Sequence, residues 1–221
     1  ADQYRQAAGR LHQARARAAR DFGTRVSEAM QGLGMPGGVF TVEVTPREDD
    51  RFTAHGSDRI EFRVSANPGQ PPMALGKVAS GGELSRISLA IQVIATDSAA
   101  IPTLIFDEVD TGIGGGVAET VGRLLRALGE QRQVLCVTHL PQVAAQAHQH
   151  LQVSKLAGTN STRTSIRGLG KTERVDEIAR MLGGIEITES TLRHAGEMLE
   201  RVGAGDKKKK RSAGRGTKGQ A

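Results

Sequence analysis

Residues 103–108 read Thr-Leu-Ile-Phe-Asp-Glu, a short apolar strand that runs straight into two adjacent carboxylates. About 30 residues further on, Gln133 to Val137 form a second apolar run that ends in Thr138-His139. Between and before them, Val117 to Leu128 and the strongly apolar Leu84 to Ala95 have helical spacing. Short apolar strands separated by helices of ten or more residues predict an α/β fold with a mostly parallel sheet flanked by helices. Ligands of open α/β sheets gather at the carboxyl ends of the strands. Asp107, Glu108 and His139 all fall at such ends. One carboxylate there can hold Mg²⁺ through its water shell, and the second can take a proton from a water that attacks a phosphate. Taken alone, the pair reads equally well as solvated loop acids, and His139 as a structural strand-end histidine.

Upstream, Ala79-Ser80-Gly81-Gly82-Glu83-Leu84-Ser85-Arg86 opens the apolar helix. Ser80 followed three residues later by Glu83 is a capping box, which needs no ligand. The box does not require Gly81 and Gly82, which are costly in a first turn. Their use is clear if bare N–H groups at the helix N-terminus must approach a phosphate, with the Ser80 hydroxyl as a further donor. Two other stretches imitate phosphate loops. Gly168-Leu169-Gly170-Lys171-Thr172 ends like a P-loop, but Ser165 stands where its first glycine is required, and the preceding Ser161 to Arg167 is polar and alternating. Gly112 to Gly116 follows the acids instead of preceding them and reads as a turn before a helix.

The rest of the chain supplies context. Residues 2–33 are rich in Ala, Arg, Gln and Leu and predict a helix that is amphipathic only toward its C-terminal half. Its first half reads either as the returning end of a coiled coil or as a solvated helix. Val39 to Val44 and Ile60 to Val64 alternate as half-buried antiparallel strands do. Leu151 to Lys155 and Arg163 to Arg167 are weaker strands, followed by helices near 173–182 and 189–202. From Gly203 the Gly/Lys/Ser-rich composition predicts disorder.

Charge and composition narrow the function. The net charge is +6 over 221 residues, but residues 206–221 alone hold seven basic side chains and one acid, whereas residues 26–205 carry a net −4. The folded middle is mildly acidic, which weakens a reading of the whole chain as a basic nucleic-acid-binding domain. Six aromatic residues and no Trp argue against a stacking platform for single strands. One cysteine, Cys136, permits neither a disulfide framework nor a thiolate metal site, so a reducing, cytoplasmic setting is the expectation. No apolar run spans a bilayer, and no signal peptide is apparent, so no membrane partner is expected. The chain starts with Ala in helix-like sequence, which suggests a piece of something longer.

Taken together, the SGGE helix start, the strand ending in Asp-Glu, Asp110 just beyond it and the strand ending in His139 resemble the C-terminal lobe of an ABC-type ATPase head. The longer matches, Lys77 to Arg86, Phe106 to Gly115 and Val137 to Ala145, resemble the RecN family, bacterial DNA repair ATPases of the SMC-like class. Asn67-Pro68-Gly69 and Glu173 to Gly184 fit the same family, so the resemblance covers about residues 1–200. It implies an arm end at 1–36, a head lobe at 37–202 and a basic tail at 203–221. It also implies Asp107 as the Mg²⁺ ligand, Glu108 as general base for water, and His139 as the switch histidine. Ser80, Gly81, Gly82 and Glu83 would form the signature loop that meets the γ-phosphate of ATP held by a second head. Asp110 would sit in the loop that crosses that homodimer interface. No Walker A loop or Q-loop is matched, so the family's N-terminal lobe becomes an implied partner, and this chain alone is expected not to turn over ATP. DNA is the implied partner of the whole, in a nucleoid-associated setting. The alternatives are a nucleotide-binding subunit of an ABC transporter, or a non-enzymatic DNA binder working through the basic tail.

Overall fold

The computed structural model describes residues 1–47, 53–78, 80–95, 101–157, 162–183 and 186–213. They form two compact units, residues 1–113 and residues from 114 onward.

In the first unit, helix α1 (Asp2–Gln31) leads into an antiparallel sheet of β1 (Val39–Pro46), β2 (Asp58–Ser65) and the short β3 (Met73–Ala74), in that order. Phe40 and Val64 face each other across β1 and β2 and are buried. Val26 and Met30 of α1 are buried too, as the amphipathic C-terminal half predicts. The Phe22 and Phe62 rings lie 6.1 and 5.4 Å from that of Phe40, so three of the six aromatics go into packing α1 on the sheet. Gly23 allows the close crossing, because a Cβ there would stand 3.1 Å from the Phe40 carbonyl oxygen. The polar half of α1 is tied down as well. Asp58, with a side chain only 2% exposed, bonds His12 Nδ1 at 2.8 Å and accepts from Arg15 Nη1 at 3.0 Å, while the Tyr4 hydroxyl accepts the Thr53 N–H at 3.1 Å. A helix solvated on all faces, one of the two readings left open, does not describe it.

Helix α2 (Gly81–Ile94) follows, with Ile87, Leu89 and Ala90 buried, and strand β4 (Thr103–Phe106) ends in the acid pair. Only Phe106 of β4 is buried; Ile105 is 71% exposed. The expected buried strand is apolar but open on one face. Apolar composition marks a face built for cover and does not say what covers it.

The second unit runs α3 (Gly115–Gly129), β5 (Gln133–Cys136), the short α4 (Pro141–Ala144), the antiparallel pair β6 (Leu151–Ala157) and β7 (Thr162–Gly168), then α5 (Lys171–Gly183) and α6 (Glu189–Ala213). Ile178, Ala179, Ala195, Ala144 and Ala145 make its core, with Val175, Leu182, Leu192 and Leu199 packed around them. Two arginines fasten the segment that follows α4. Arg126 Nη1 donates to Gln146 O at 2.6 Å, and Arg174 Nη2 donates to Ala147 O at 2.8 Å.

The α/β class holds, and the strand–helix–strand order that marks a parallel sheet is the β4–α3–β5 stretch. Within each unit the paired strands run antiparallel. Strand β5 is no more buried than β4, and Leu135 and the following Val137 are exposed. The other departure is at the end. The backbone of α6 continues helically through the Lys run to Ala213, where composition predicted disorder from Gly203. Lys and Arg are good helix formers, so a helix already nucleated and packed at 189–202 can propagate through them. Residues 214–221 of the expected tail lie outside the described residues.

Candidate functional site

The SGGE start and the acid pair meet inside the first unit. Ser80 caps α2, its hydroxyl oxygen accepting the Glu83 N–H at 3.3 Å. That is the capping interaction expected from the sequence. The two glycines face the acid loop. A Cβ on Gly81 would collide with Glu108 Oε2, so this carboxylate lies against the first turn of α2. A carboxylate there is favoured by the positive pole of the helix. A Cβ on Gly82, which is buried, would stand 3.0 Å from both the Cβ and the carbonyl oxygen of Thr111. The glycines serve a close approach between α2 and residues 107–111, in addition to any approach of a ligand.

Two further residues of α2 hold that loop, and the sequence reading did not single them out. Ser85 Oγ donates to the Asp107 carbonyl at 2.7 Å. Arg86 Nη1 donates to the Thr111 carbonyl at 2.7 Å. Arg86 is only 5% exposed and its Nε has no partner; burial pulls the guanidinium below its usual range, and Glu83 opposes that pull. The sequence signal was present in the Leu84-Ser85-Arg86 continuation, since a charged residue on the buried face of an apolar helix must find a partner.

Glu108 has φ 56°, the one non-glycine residue at positive φ among the described residues. Asp107 Oδ1 accepts the Glu108 N–H at 2.9 Å and supports that conformation. Strained backbone of this kind costs roughly 1–3 kcal/mol and tends to gather at functional sites. Asp107 and Glu108 are both exposed, whereas Asp110 is 2% exposed and turned into its own chain. His139 is exposed just beyond β5 in the second unit, where Thr138 Oγ1 accepts the Leu140 N–H at 3.0 Å. The first unit thus brings together Ser80, Gly81, Gly82, Glu83, Asp107, Glu108 and Asp110; His139 is described with its own unit.

Among the described residues, no group of three or more His, Cys, Asp or Glu could hold a metal by itself. A divalent ion at Asp107 would therefore draw most of its ligands from water and phosphate oxygens, which suits Mg²⁺ bound with a nucleotide. The imitation P-loop is accounted for otherwise. Glu173 Oε2 accepts the Gly170 N–H at 2.8 Å, and Arg167 donates to the same carboxylate group. The N-terminal end of α5 is thus served by its own glutamate.

No family model matches the chain. It is 51% identical over 199 residues to the DNA repair protein RecN of Xylella fastidiosa (strain 9a5c), a match that covers 90% of this chain and 36% of that protein. The RecN of Haemophilus influenzae is 48% identical over 201 residues, covering 91% of this chain and 36% of the relative. The chain belongs to the RecN family. It spans about a third of the length of these RecN relatives. Among solved structures, the Smc head domain with coiled coil and joint from Pyrococcus yayanosii matches with a TM-score of 0.52 at 20% identity, over 74% of this chain and 29% of that one. The Pyrococcus furiosus Smc head domain, bound in its structure to the C-terminal domain of ScpA, gives 0.50 at 20% identity, over 76% of this chain and 40% of that one. At such identity the likeness concerns the fold alone, that of an Smc head domain.

Proposed function

We propose that this RecN segment is the C-terminal lobe of an SMC-like ATPase head in DNA double-strand break repair, coupling ATP binding and hydrolysis to head dimerisation on DNA in the bacterial cytoplasm. The observation that carries the reading is the junction of the Ser80-Gly81-Gly82 helix start with the Asp107-Glu108 turn, cross-braced by Ser85 and Arg86.

Asp107, exposed and acceptor-only when ionised, would hold Mg²⁺ bound to the nucleotide, which supplies charge neutralisation at the phosphates. Glu108 would take the proton of the attacking water. Ser80 and the N–H groups of Gly81 and Gly82, supported by Glu83, would meet the γ-phosphate of a nucleotide gripped by the partner head. In this chain the Glu108 carboxylate occupies that approach, so it must leave Gly81 before both roles can be filled. Asp110, buried here, would need its turn to open to reach across a dimer interface. His139 would orient the phosphate or the water. The exposed apolar side of Ile105 is a suitable seat for the family's N-terminal lobe, which would bring the Walker A loop.

Phosphate release measured with purified chain, ATP and Mg²⁺ tests the division of labour. The chain alone should be inactive, and the complete protein active until Glu108→Gln stops it. Magnesium-dependent turnover by the chain alone, abolished by Glu108→Gln, would overturn the composite-site reading.

A further inference from the structure

Helix α1 docks through one face and leaves the opposite face bare. The docked face runs through Tyr4, His12, Arg15 and Phe22, which bond Thr53 and Asp58 or pack on Phe40. The opposite face runs Gln3, Gln6, Arg10, Gln13, Arg17, Arg20, at alternating intervals of three and four residues. That spacing sets the six side chains in one line along about 26 Å of helix. All six are exposed. The intervals are those of a coiled-coil seam, but every position that a seam would make apolar is an amide or a guanidinium, so a partner helix has nothing to bury there.

The charges of α1 can be assigned one by one. The helix holds six arginines against Asp2, Asp21 and Glu28. Arg5 pairs with Asp2 at 3.4 Å, Arg25 with Asp21 at 3.8 Å, and Arg15 with Asp58 of β2 at 3.0 Å. The acids of the sheet, Glu43 and Glu61, are taken by Arg63 and Arg59. Arg10, Arg17 and Arg20 take part in no ion pair among the described residues. Asp21, one turn beyond Arg17, is the acid nearest the line, and Arg25 already holds it. Glu28 is left over, eight residues past Arg20 or about 12 Å along the axis. Three unpaired arginines less Glu28 leave the outer face with a surplus of two positive charges.

We propose that this outer face of α1 is a landing strip for the phosphate backbone of duplex DNA. The choice of DNA among polyanions rests on the repair reading above; the line of unpaired cations does not. Arg and Gln side chains both donate to phosphate oxygens, so the whole line can serve as contacts. Small residues flank it, Ala7 and Ala14 on one side and Gly9 and Ala16 on the other, and a Cβ on Gly9 would meet nothing within 4 Å. A phosphate strand can therefore come close to the helix. Both aromatic residues of α1, Tyr4 and Phe22, are committed to the docked side, so the strip stacks no bases and reads no sequence. No large apolar side chain lies on the line or its flanks, so it lacks the apolar face with which a basic helix enters a bilayer.

Fluorescence polarisation of the full chain with a labelled duplex of about 30 base pairs, across about 50–200 mM salt, tests the strip. Two variants each remove two charges from the same helix. Arg10→Gln with Arg17→Gln takes them from the outer face, and Arg5→Gln with Arg25→Gln takes them from arginines that already have partners. The first should bind more weakly and lower the slope of log K against log salt by about 2, so that this rise in salt costs it roughly ten-fold less affinity than it costs the unmodified chain. The second should lower the slope by well under about 1. Circular dichroism should not change, since Gln is nearly as good a helix former as Arg. Arg10→Lys with Arg17→Lys should keep both affinity and slope. An outer-face variant with unchanged affinity and slope overturns the proposal, and so do equal losses in the two Gln variants, which would make total charge and not the face responsible. Poly-glutamate bound as tightly as the duplex and lost in the same variant would overturn the DNA assignment in favour of an acidic protein partner. Failure of the ATPase reading would appear instead in the Glu108→Gln turnover assay, and would not alter these curves.

Discussion

Gly81 and Gly82 are adjacent, yet replacing each with Ala should move stability in opposite directions. Gly within a helix costs roughly 0.5–1 kcal/mol relative to Ala, so each substitution begins with a gain of that order or somewhat less in the first turn. At Gly81 the new methyl meets the end of the exposed, flexible Glu108 side chain, which can rotate away. The gain should survive, leaving the chain as stable or up to about 0.5 kcal/mol more stable. At Gly82 the methyl would stand 3.0 Å from the Thr111 carbonyl, the same oxygen that receives Arg86. Either α2 or the 107–111 turn must shift, and overpacking of this kind costs about 1–3 kcal/mol. The net loss should be about 1–2 kcal/mol, or roughly 2–8 °C in Tm for a chain of this size. Urea unfolding followed by circular dichroism, with thermal melts beside it, measures both. If Gly82→Ala matched the unmodified chain, or Gly81→Ala lost as much as Gly82→Ala, the proposed packing of α2 on the acid turn would be wrong.

Other expectations follow from single residues. Glu108→Gly should relieve the positive-φ strain and raise stability by up to about 1 kcal/mol, while removing the base from the complete protein; a fall in urea midpoint would contradict the strain argument. Burial pushes the Asp58 carboxyl up, but the hydrogen bonds of His12 and Arg15 outweigh it and hold it below its usual value. Its stabilising share is therefore present above the unfolded value near 3.8 and is lost as pH falls through the lower folded value. Asp58→Asn should flatten the acid limb of urea midpoint against pH below about 4. For His150, burial first and then the Arg174 charge lower the imidazole below 6.5, against an opposing pull from Glu177. Stability should thus fall as pH drops below about 6.5, because the unfolded chain takes up a proton that the folded one resists. His150→Gln should remove that slope, and an unchanged profile would refute the assignment.

How much of this was legible in the sequence depended on whether a residue's partner was local. Ser80 and Glu83 are three positions apart, so their capping bond could be read from the string alone. The α/β class followed from periodicity, and so did the helices and strands around the acid turn. Long-range uses of side chains were invisible. Nothing in residues 1–20 announces that His12 and Arg15 will meet Asp58 more than 40 residues away, so the polar half of α1 reads in the string as coiled coil or solvated helix. At the end of α6 the backbone runs on helically past Gly203, where composition pointed to disorder. Composition reports what a segment does in isolation, whereas a packed helix ahead of it removes the nucleation cost. Strands β4 and β5 show the remaining gap, since an apolar run states a need for cover without naming what provides it.

The acid turn and the α2 N-terminus also explain each other electrically. A helix N-terminus acts as roughly half a positive charge, and the Glu108 carboxylate beside Gly81 is favoured there by about 0.3–1 kcal/mol. That is smaller than the roughly 1–3 kcal/mol cost of holding Glu108 at positive φ. The attraction offsets only part of the strain, so Glu108 is held without being locked. A phosphate group carries more charge and more acceptor oxygens than a carboxylate and would compete well for the same N–H groups. On the proposed reading, the approach of a partner's nucleotide to Gly81 and Gly82 frees Glu108 for its own site. Ser85 and Arg86 keep the turn in register while the side chain moves. Arg86→Met tests this link separately from the acid itself. It should leave Glu108 chemically intact and relieve the burial of an unpaired Nε, yet lower turnover in the complete protein by loosening Thr111 from α2. Unchanged turnover with a normally folded Arg86→Met protein would show that the brace does not transmit.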